Sequence, residues 1–384
     1  MTTTPPEPGQ TSPPDQPSRA APLFAKQAPP AAARPAAPPP QPGRFRVPTL
    51  ARHLAIAVLA AVVLAIATTM IGDYRDYELA EIAAFVVAVA GLTVLIGLSG
   101  QISIGNGAFM AVGGYAAALL FVHLHWPLVA ILLAATAAAA LAGAIFGVAA
   151  ARLRGPYLAG ATLMLAVALP ALSTQFQSVL GGDQGLGFYI SVPGFLGLNF
   201  SLSRWQAWFN CAVALLVLVL LANLTRSRVG RSWRALRDDE VAASLAGLNV
   251  ARLQIVAFIV SAGCAGAGGV LLAVWIGTVS TSLFALGVSI QLLTAAVLGG
   301  LGSLAGAIWG SALLVIVPTF LANFATSHGM TQTTSSSVPI LAYGVVLIAV
   351  MVGFPGGIQG ALVRFFNLSR RRPADYHQEE KGST

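Results

Sequence analysis

The side chains that could carry a reaction are few in this chain, and their spacing does not suit one. Glu81 stands near the entrance of an apolar run and Asp183 lies in the loop GGDQGLG (181–187), with no second carboxylate placed for acid–base work. His123 and His125 sit in the turn HLHWP without a neighbouring carboxylate or cysteine to complete a metal site, and read as interfacial anchors. Cys211 and Cys264 fall inside apolar runs at no redox or zinc spacing, the setting of small buried hydrophobes. HExxH and GxSxG do not occur. Both lysines, Lys26 and Lys381, lie in the terminal segments and outside any GxxxxGK[ST] phosphate loop. An enzyme is therefore not expected, nor an ATPase site in this chain, nor a metal or cofactor.

What remains is a set of polar residues among glycines. In GLSGQISIGNGAFMAVGGY (97–115), Gly97, Gly100, Gly105 and Gly107 alternate with Gln101, Ser103 and Asn106. Small residues let helices approach closely in lipid. The same pattern suits a broken or re-entrant helix beside a polar path, with Gly100, Gln101, Ser103, Asn106, Gly107 and Asp183 as path or gate residues. Their alternative role is to satisfy backbone groups freed at a helix break.

The elements that must hold these residues are transmembrane. The chain is 56% apolar and 9% charged, against about 25% charged in soluble domains. Apolar stretches long enough for a core of about 30 Å occur near 52–71, 79–98, 102–122, 128–151, 157–180, 205–223, 253–276, 286–301, 304–324 and 338–354. The expectation is an all-α polytopic membrane protein of about ten helices, eight to ten, some broken or re-entrant. With ten alternating spans, 19 of the 21 Lys and Arg residues fall on the side shared by both termini, leaving Arg75 and Arg204 opposite. Basic residues concentrate on the cytoplasmic face, so both termini are expected there. The net charge of +8 is then topology, and nucleic-acid binding loses its motive.

Residues 1–48, rich in Pro and Ala, read as a disordered cytoplasmic tail, 49–358 as the membrane domain and 359–384 as a basic cytoplasmic tail. The polar stretch 225–254 lies between spans six and seven. It reads as a helix through its middle, with Arg234 and Asp238 four apart, Leu236, Glu240 and Ala243 on one face, and Gly247 ending it.

Within that stretch VAASLAG (241–247) resembles the loop by which bacterial ABC importer permeases dock on their ATPases. It departs from the strict pattern, with Val241 where a glutamate is usual and Glu240 one place earlier. The longer run GRSWRALRDDEVAASLAGLNVARLQ, with GLSGQISIGNGAFMAVGGYAAALL, RGPYLAGATLMLA, GGDQGLG and VLGGLGSLAGAIWGSALL in order, is similar to the branched-chain amino-acid ABC permease family of the LivM type. The resemblance covers most of residues 80–355. It implies an inner-membrane subunit that pairs with a second related permease, two cytoplasmic ATPase subunits and an extracytoplasmic substrate-binding protein, working by alternating access. It further implies that Arg234, Arg237, Asp238 and Glu240 orient a docked helix, while Ala242, Ala243 and Gly247 permit close approach. Branched-chain or other hydrophobic amino acids are the implied cargo, with urea or short amides as the alternative. An ion-coupled secondary transporter, the competing class, usually needs intramembrane carboxylates or histidines, and few are present.

Overall fold

The computed structural model describes residues 49–70, 72–153, 155–193, 201–327, 344–345, 348–349, 352–353 and 357–370. The expected tail 1–48, most of the stretch 338–354 and the residues after 370 lie outside the described residues. The chain is an all-α polytopic membrane protein. Among the described residues eight helices are long and apolar enough to cross a membrane. They are α2 (Asp73–Ser99), α3 (Asn106–Leu119, continued by a π-turn at Leu120–Leu124), α4 (Leu128–Ala150), α5 (Pro156–Gln175), α7 (Leu202–Arg226), α10 (Val250–Ile276), α11 (Leu286–Gly299) and α12 (Leu304–Ser327). Each matches one of the apolar stretches read from the sequence. Helix α1 (Thr49–Met70) precedes them, α6 (Gln177–Leu180) is a single turn, and α13 (Gly357–Arg370) closes the described part.

Helix is the only spanning form open to these runs, because lipid offers backbone N–H and C=O groups no partners. Helices α2 and α10 form the centre: α10 packs on α2, α3 and α4, and α2 also meets α7 and α12. That arrangement follows from the glycine run SAGCAGAGG (261–269). A Cβ on Gly266 would run into the Ala139 side chain of α4, and one on Gly269 would lie 2.8 Å from the Met110 carbonyl carbon of α3. A Cβ on Gly268 would likewise lie 2.9 Å from the Ala84 carbonyl oxygen of α2, so three helices touch α10 at near-backbone distance, which larger side chains would forbid.

Polar staples complete the packing. Asn210 Nδ2 of α7 donates to Ala80 O (2.9 Å) and Leu271 O (3.2 Å), and Gln206 Nε2 donates to Val274 O at 2.6 Å. These tie α7 to α2 and α10 where neither side chain could reach water. Arg204 Nε lies 3.4 Å from Asp76 Oδ2, with Asp76 only 1% exposed and Arg204 27%. The carboxylate also sits in the first turn of α2, where the helix dipole favours it. Removing the cation strands a buried charge, so Arg204→Ala is expected to cost about 3 kcal/mol in a detergent unfolding titration. The pair Arg204→Ala with Asp76→Asn should recover more than half of that. If the double variant is no more stable than the single one, the ion pair is not what holds this corner.

Between α7 and α10 the chain forms two short helices, α8 (Arg228–Asp238) and α9 (Glu240–Leu245). At the other end of α10, strand β2 (Thr278–Val279) pairs antiparallel with β1 (Leu186–Gly187), Leu186 opposite Val279. The two features cap opposite ends of a 27-residue helix about 40 Å long.

Candidate functional site

Helix α2 stops at Gly100, whose φ of 76° places it in the left-handed region, and its N–H donates back to Ile96 O at 3.2 Å. Glycine reaches that conformation without the Cβ penalty, which is why the helix can end inside the bundle. Residues 101–105 then run without helical structure to the start of α3 at Asn106. A break at this depth frees backbone groups, and neighbouring helices satisfy several of them. Ile104 N donates to Thr162 Oγ1 of α5 (3.0 Å) and Gly107 N to Ser289 Oγ of α11 (3.1 Å).

The three polar side chains of the break are all buried. Gln101 Nε2 donates to Ser99 Oγ (3.1 Å) and Gln254 O (3.4 Å), while Asn106 Oδ1 accepts from Ser261 Oγ of α10 at 3.3 Å. Each residue nonetheless keeps a buried polar atom without a partner: Gln101 Oε1, Ser103 Oγ and Asn106 Nδ2. Ser261 lies eleven residues into α10, about 16 Å along its axis and so about half the depth of a 30 Å core. Gln254, which Gln101 touches, lies only four residues into α10, about 6 Å, so the polar cluster runs from the α8 end of the bundle to mid-depth at Asn106. With hydrogen-bonding capacity left over, it can hold water or a polar solute that has shed its own.

The loop beneath is more rigid than its charge suggests. Trp233 of α8 is fully buried, and its Nε1 donates to Leu253 O of α10 at 2.9 Å. Asp239, not expected to matter, divides what reads from the sequence as one helix: its Oδ1 accepts from the N–H groups of Val241 (2.9 Å) and Ala242 (3.0 Å), capping α9. Gly247 does end that helix, with φ at 83°. The arginines bind backbone carbonyls rather than Asp238. Arg234 donates to Gly230 O (3.2 Å) and Thr225 O (2.6 Å), and Arg237 Nη1 donates to Gly97 O. Ala243 is buried beneath α9, Ala242 is exposed, and Glu240 is half-buried. Outward, Val241 and Leu245 are 68% and 85% exposed, one helical turn apart.

Residues 74–355 match the family described as branched-chain amino acid transport system / permease component. The chain belongs to this family. It is 31% identical over 325 residues to the high-affinity branched-chain amino acid transport system permease protein LivM of Salmonella typhimurium, covering 78% of this chain and 74% of that protein. It is 27% identical over 293 residues to BraD of Pseudomonas aeruginosa, 72% of this chain and 91% of that one. LivH of Escherichia coli, a permease protein of the same kind of system, matches at 34% over 161 residues, 42% of this chain and 49% of LivH. No solved structure matches the permease.

The structure brings Gly100, Gln101, Ser103, Asn106 and Gly107 of this permease together in one break, and sets Asp183 apart from it. Asp183 is exposed in the turn before β1, beyond the end of α5 at Gln175. Thr162, which touches the break, lies thirteen residues before Gln175, about 20 Å along the helix axis. At the Asp183 end runs a chain of hydroxyls absent from the sequence reading: Tyr115 OH lies 2.7 Å from Ser173 Oγ, Ser173 Oγ 3.2 Å from Thr281 Oγ1, and Thr281 Oγ1 donates to Gly182 O. Isolated hydroxyls in apolar helices carry little signal in sequence, because each could equally bond its own preceding turn.

Proposed function

We propose that this permease is the transmembrane subunit of an ATP-binding-cassette importer, moving branched-chain or other hydrophobic amino acids across the cytoplasmic membrane by alternating access. Its α8–α9 loop and both termini face the cytoplasm. A second, related permease completes the pathway, two ATPase subunits sit beneath the pair, and an extracytoplasmic binding protein delivers the solute. ATP hydrolysis belongs to the separate subunits.

The observation that carries this reading is the exposed apolar tip of α9. Val241 and Leu245 project from the end of the bundle richest in arginine, on a helix fixed by the Asp239 cap and, through α8, by buried Trp233. An apolar pair held on a short rigid helix suits insertion into a groove of a partner protein. The names of the relatives support the cargo, and the polar break, which reaches mid-depth at Asn106 and keeps buried polar atoms without partners, supports a passage for a small polar solute.

The test is affinity purification of the permease expressed with its neighbouring genes. The native chain should retain a P-loop ATPase, and Leu245→Asp should lose at least about tenfold of it, since burying a carboxylate in an apolar groove costs more than 1.4 kcal/mol. Membrane abundance should not change, because Leu245 supports nothing within this chain. Full retention by Leu245→Asp would remove α9 as the docking element, and no ATPase with the native chain would remove the importer assignment.

A further inference from the structure

Arg237 occupies a place that three glycines make for it. Its guanidinium donates to Gly97 O in the last turn of α2, and a Cβ on Gly100 would lie 3.4 to 3.6 Å from the arginine's Cγ, Cα and Cβ. A Cβ on Gly302, in the turn between α11 and α12, would lie 3.6 Å from Nη1. Gly97 and Gly302 also meet directly, since a Cβ on Gly97 would lie 2.5 Å from the Gly302 Cα. The end of α2, the α11–α12 turn and helix α8 thus converge on one side chain, 140 residues from Gly97 in sequence.

Gly97 is three residues before the residue at which α2 breaks, and Gln101 beyond it begins the buried polar segment. Helix α8 is fixed to α10 through Trp233 and to α2 through Arg237. A shift of α8 therefore has two routes into the bundle: one through Trp233 to the start of α10, whose Gln254 and Ser261 touch Gln101 and Asn106, and one through Arg237 straight to the last turn of α2, where the backbone itself breaks. We propose that Arg237 is a positioning residue, the latch through which movement of the α8–α9 loop reaches the polar break at 100–107, rather than a contact to the ATPase. The inference rests on the importer reading above and assigns the arginine a role inside this chain. Its five-donor head suits that role, because it can hold a carbonyl of α2 while its aliphatic stem packs on Gly100. A backbone carbonyl in the last turn of a helix has no intrahelical partner, so the bond forms without breaking the helix ladder.

The experiment uses the complete importer in proteoliposomes, with leucine as the transported probe, and compares native protein, Arg237→Lys and Arg237→Met. Methionine keeps an apolar stem over Gly100 and removes the donor. The subunits should still copurify with Arg237→Met, while leucine taken up per ATP hydrolysed falls at least about tenfold, the equivalent of one lost charge-assisted hydrogen bond in the coupled step. Arg237→Lys should fall between. Hydrogen exchange on the Arg237→Lys permease gives a second reading that needs no uptake: the peptide covering 97–105 should exchange faster than in native protein, while the start of α10 should not. Unchanged uptake per ATP in Arg237→Met, or unchanged exchange at 97–105, overturns the latch. Loss of the ATPase from Arg237→Met would make the arginine a docking contact and overturns it as well. If the native permease brings no ATPase at all, it is the importer reading that has failed, and that result is seen before any variant is compared.

Discussion

Gly266→Leu will lower the amount of folded protein in the membrane by about tenfold or more. The Cβ alone collides with the Ala139 side chain, and Gly113 of α3 packs on the same stretch of backbone, where its own added Cβ would lie 2.5 Å from the Gly266 Cα. Helix α10 cannot move away from α4 without moving toward α2 or α3, because it contacts all three. Overpacking in a tight core costs about 1 to 3 kcal/mol even when neighbours can yield. Here the neighbours are an alanine and glycine backbone, with no flexible side chain to rearrange. Gly266→Ala should show a smaller loss of the same sign. Gly160 of α5, where an added Cβ meets nothing within 4 Å, supplies the control, and Gly160→Leu should accumulate normally. Membrane abundance with size-exclusion chromatography of the solubilised protein is the measurement. A Gly266→Leu protein that elutes as a single native-sized peak at native yield would mean that the glycine run is not what brings these helices together.

The spans were legible because hydropathy and the one-sided placement of arginine are both summed over many residues, and neither depends on which helix touches which. The break at 100–105 was legible for a related reason. Gly100 and the polar residues after it contradict the apolar pattern on both sides, and such a contradiction marks either a loop or an irregular segment. The sequence reading starts the third span at 102, whereas α3 begins at Asn106, since hydropathy averaged over a window blurs a five-residue interruption. The long-range partners were not legible. Asp76 with Arg204, Asn210 with Ala80, and Arg237 with Gly97 depend on the relative rotation and height of helices, which periodicity within one helix does not encode. Arg234 and Asp238 have helical spacing, yet the arginine turns back to Thr225 O, because the carbonyls ending α7 lack partners and compete for it. The Asp239 cap could have been read: an aspartate just before Glu240-Val241-Ala242-Ala243 is a common helix start, but the helical spacing of Arg234 with Asp238 and of Leu236, Glu240 and Ala243 argued for one helix.

Trp233→Ala will loosen the α8–α9 loop without dissolving the bundle. The indole is completely buried, the largest side chain so placed among the described residues, and it also donates to Leu253 O. Truncating a buried tryptophan costs about 3 to 5 kcal/mol, and losing the indole hydrogen bond adds about 1 more. The loss falls on a local unit, since α8 is held to the bundle mainly by Trp233, Leu236 and the Arg237 bond. The spans keep their own packing, so membrane abundance should fall by much less than in Gly266→Leu. The local open state should instead become at least about a hundredfold more populated, as 3 kcal/mol dictates. Trypsin added to the loop face reads this directly, because cleavage after Arg228, Arg231, Arg234 and Arg237 follows the open population when opening is fast. Val241 and Leu245 would then be carried on a mobile segment, and retention of an ATPase should drop together with the proteolytic protection. Unchanged cleavage in Trp233→Ala would show that the loop owes its rigidity to something other than this side chain. Faster cleavage with full ATPase retention would show that the tip docks without being held in place beforehand, so that folding of the loop and binding occur in one step.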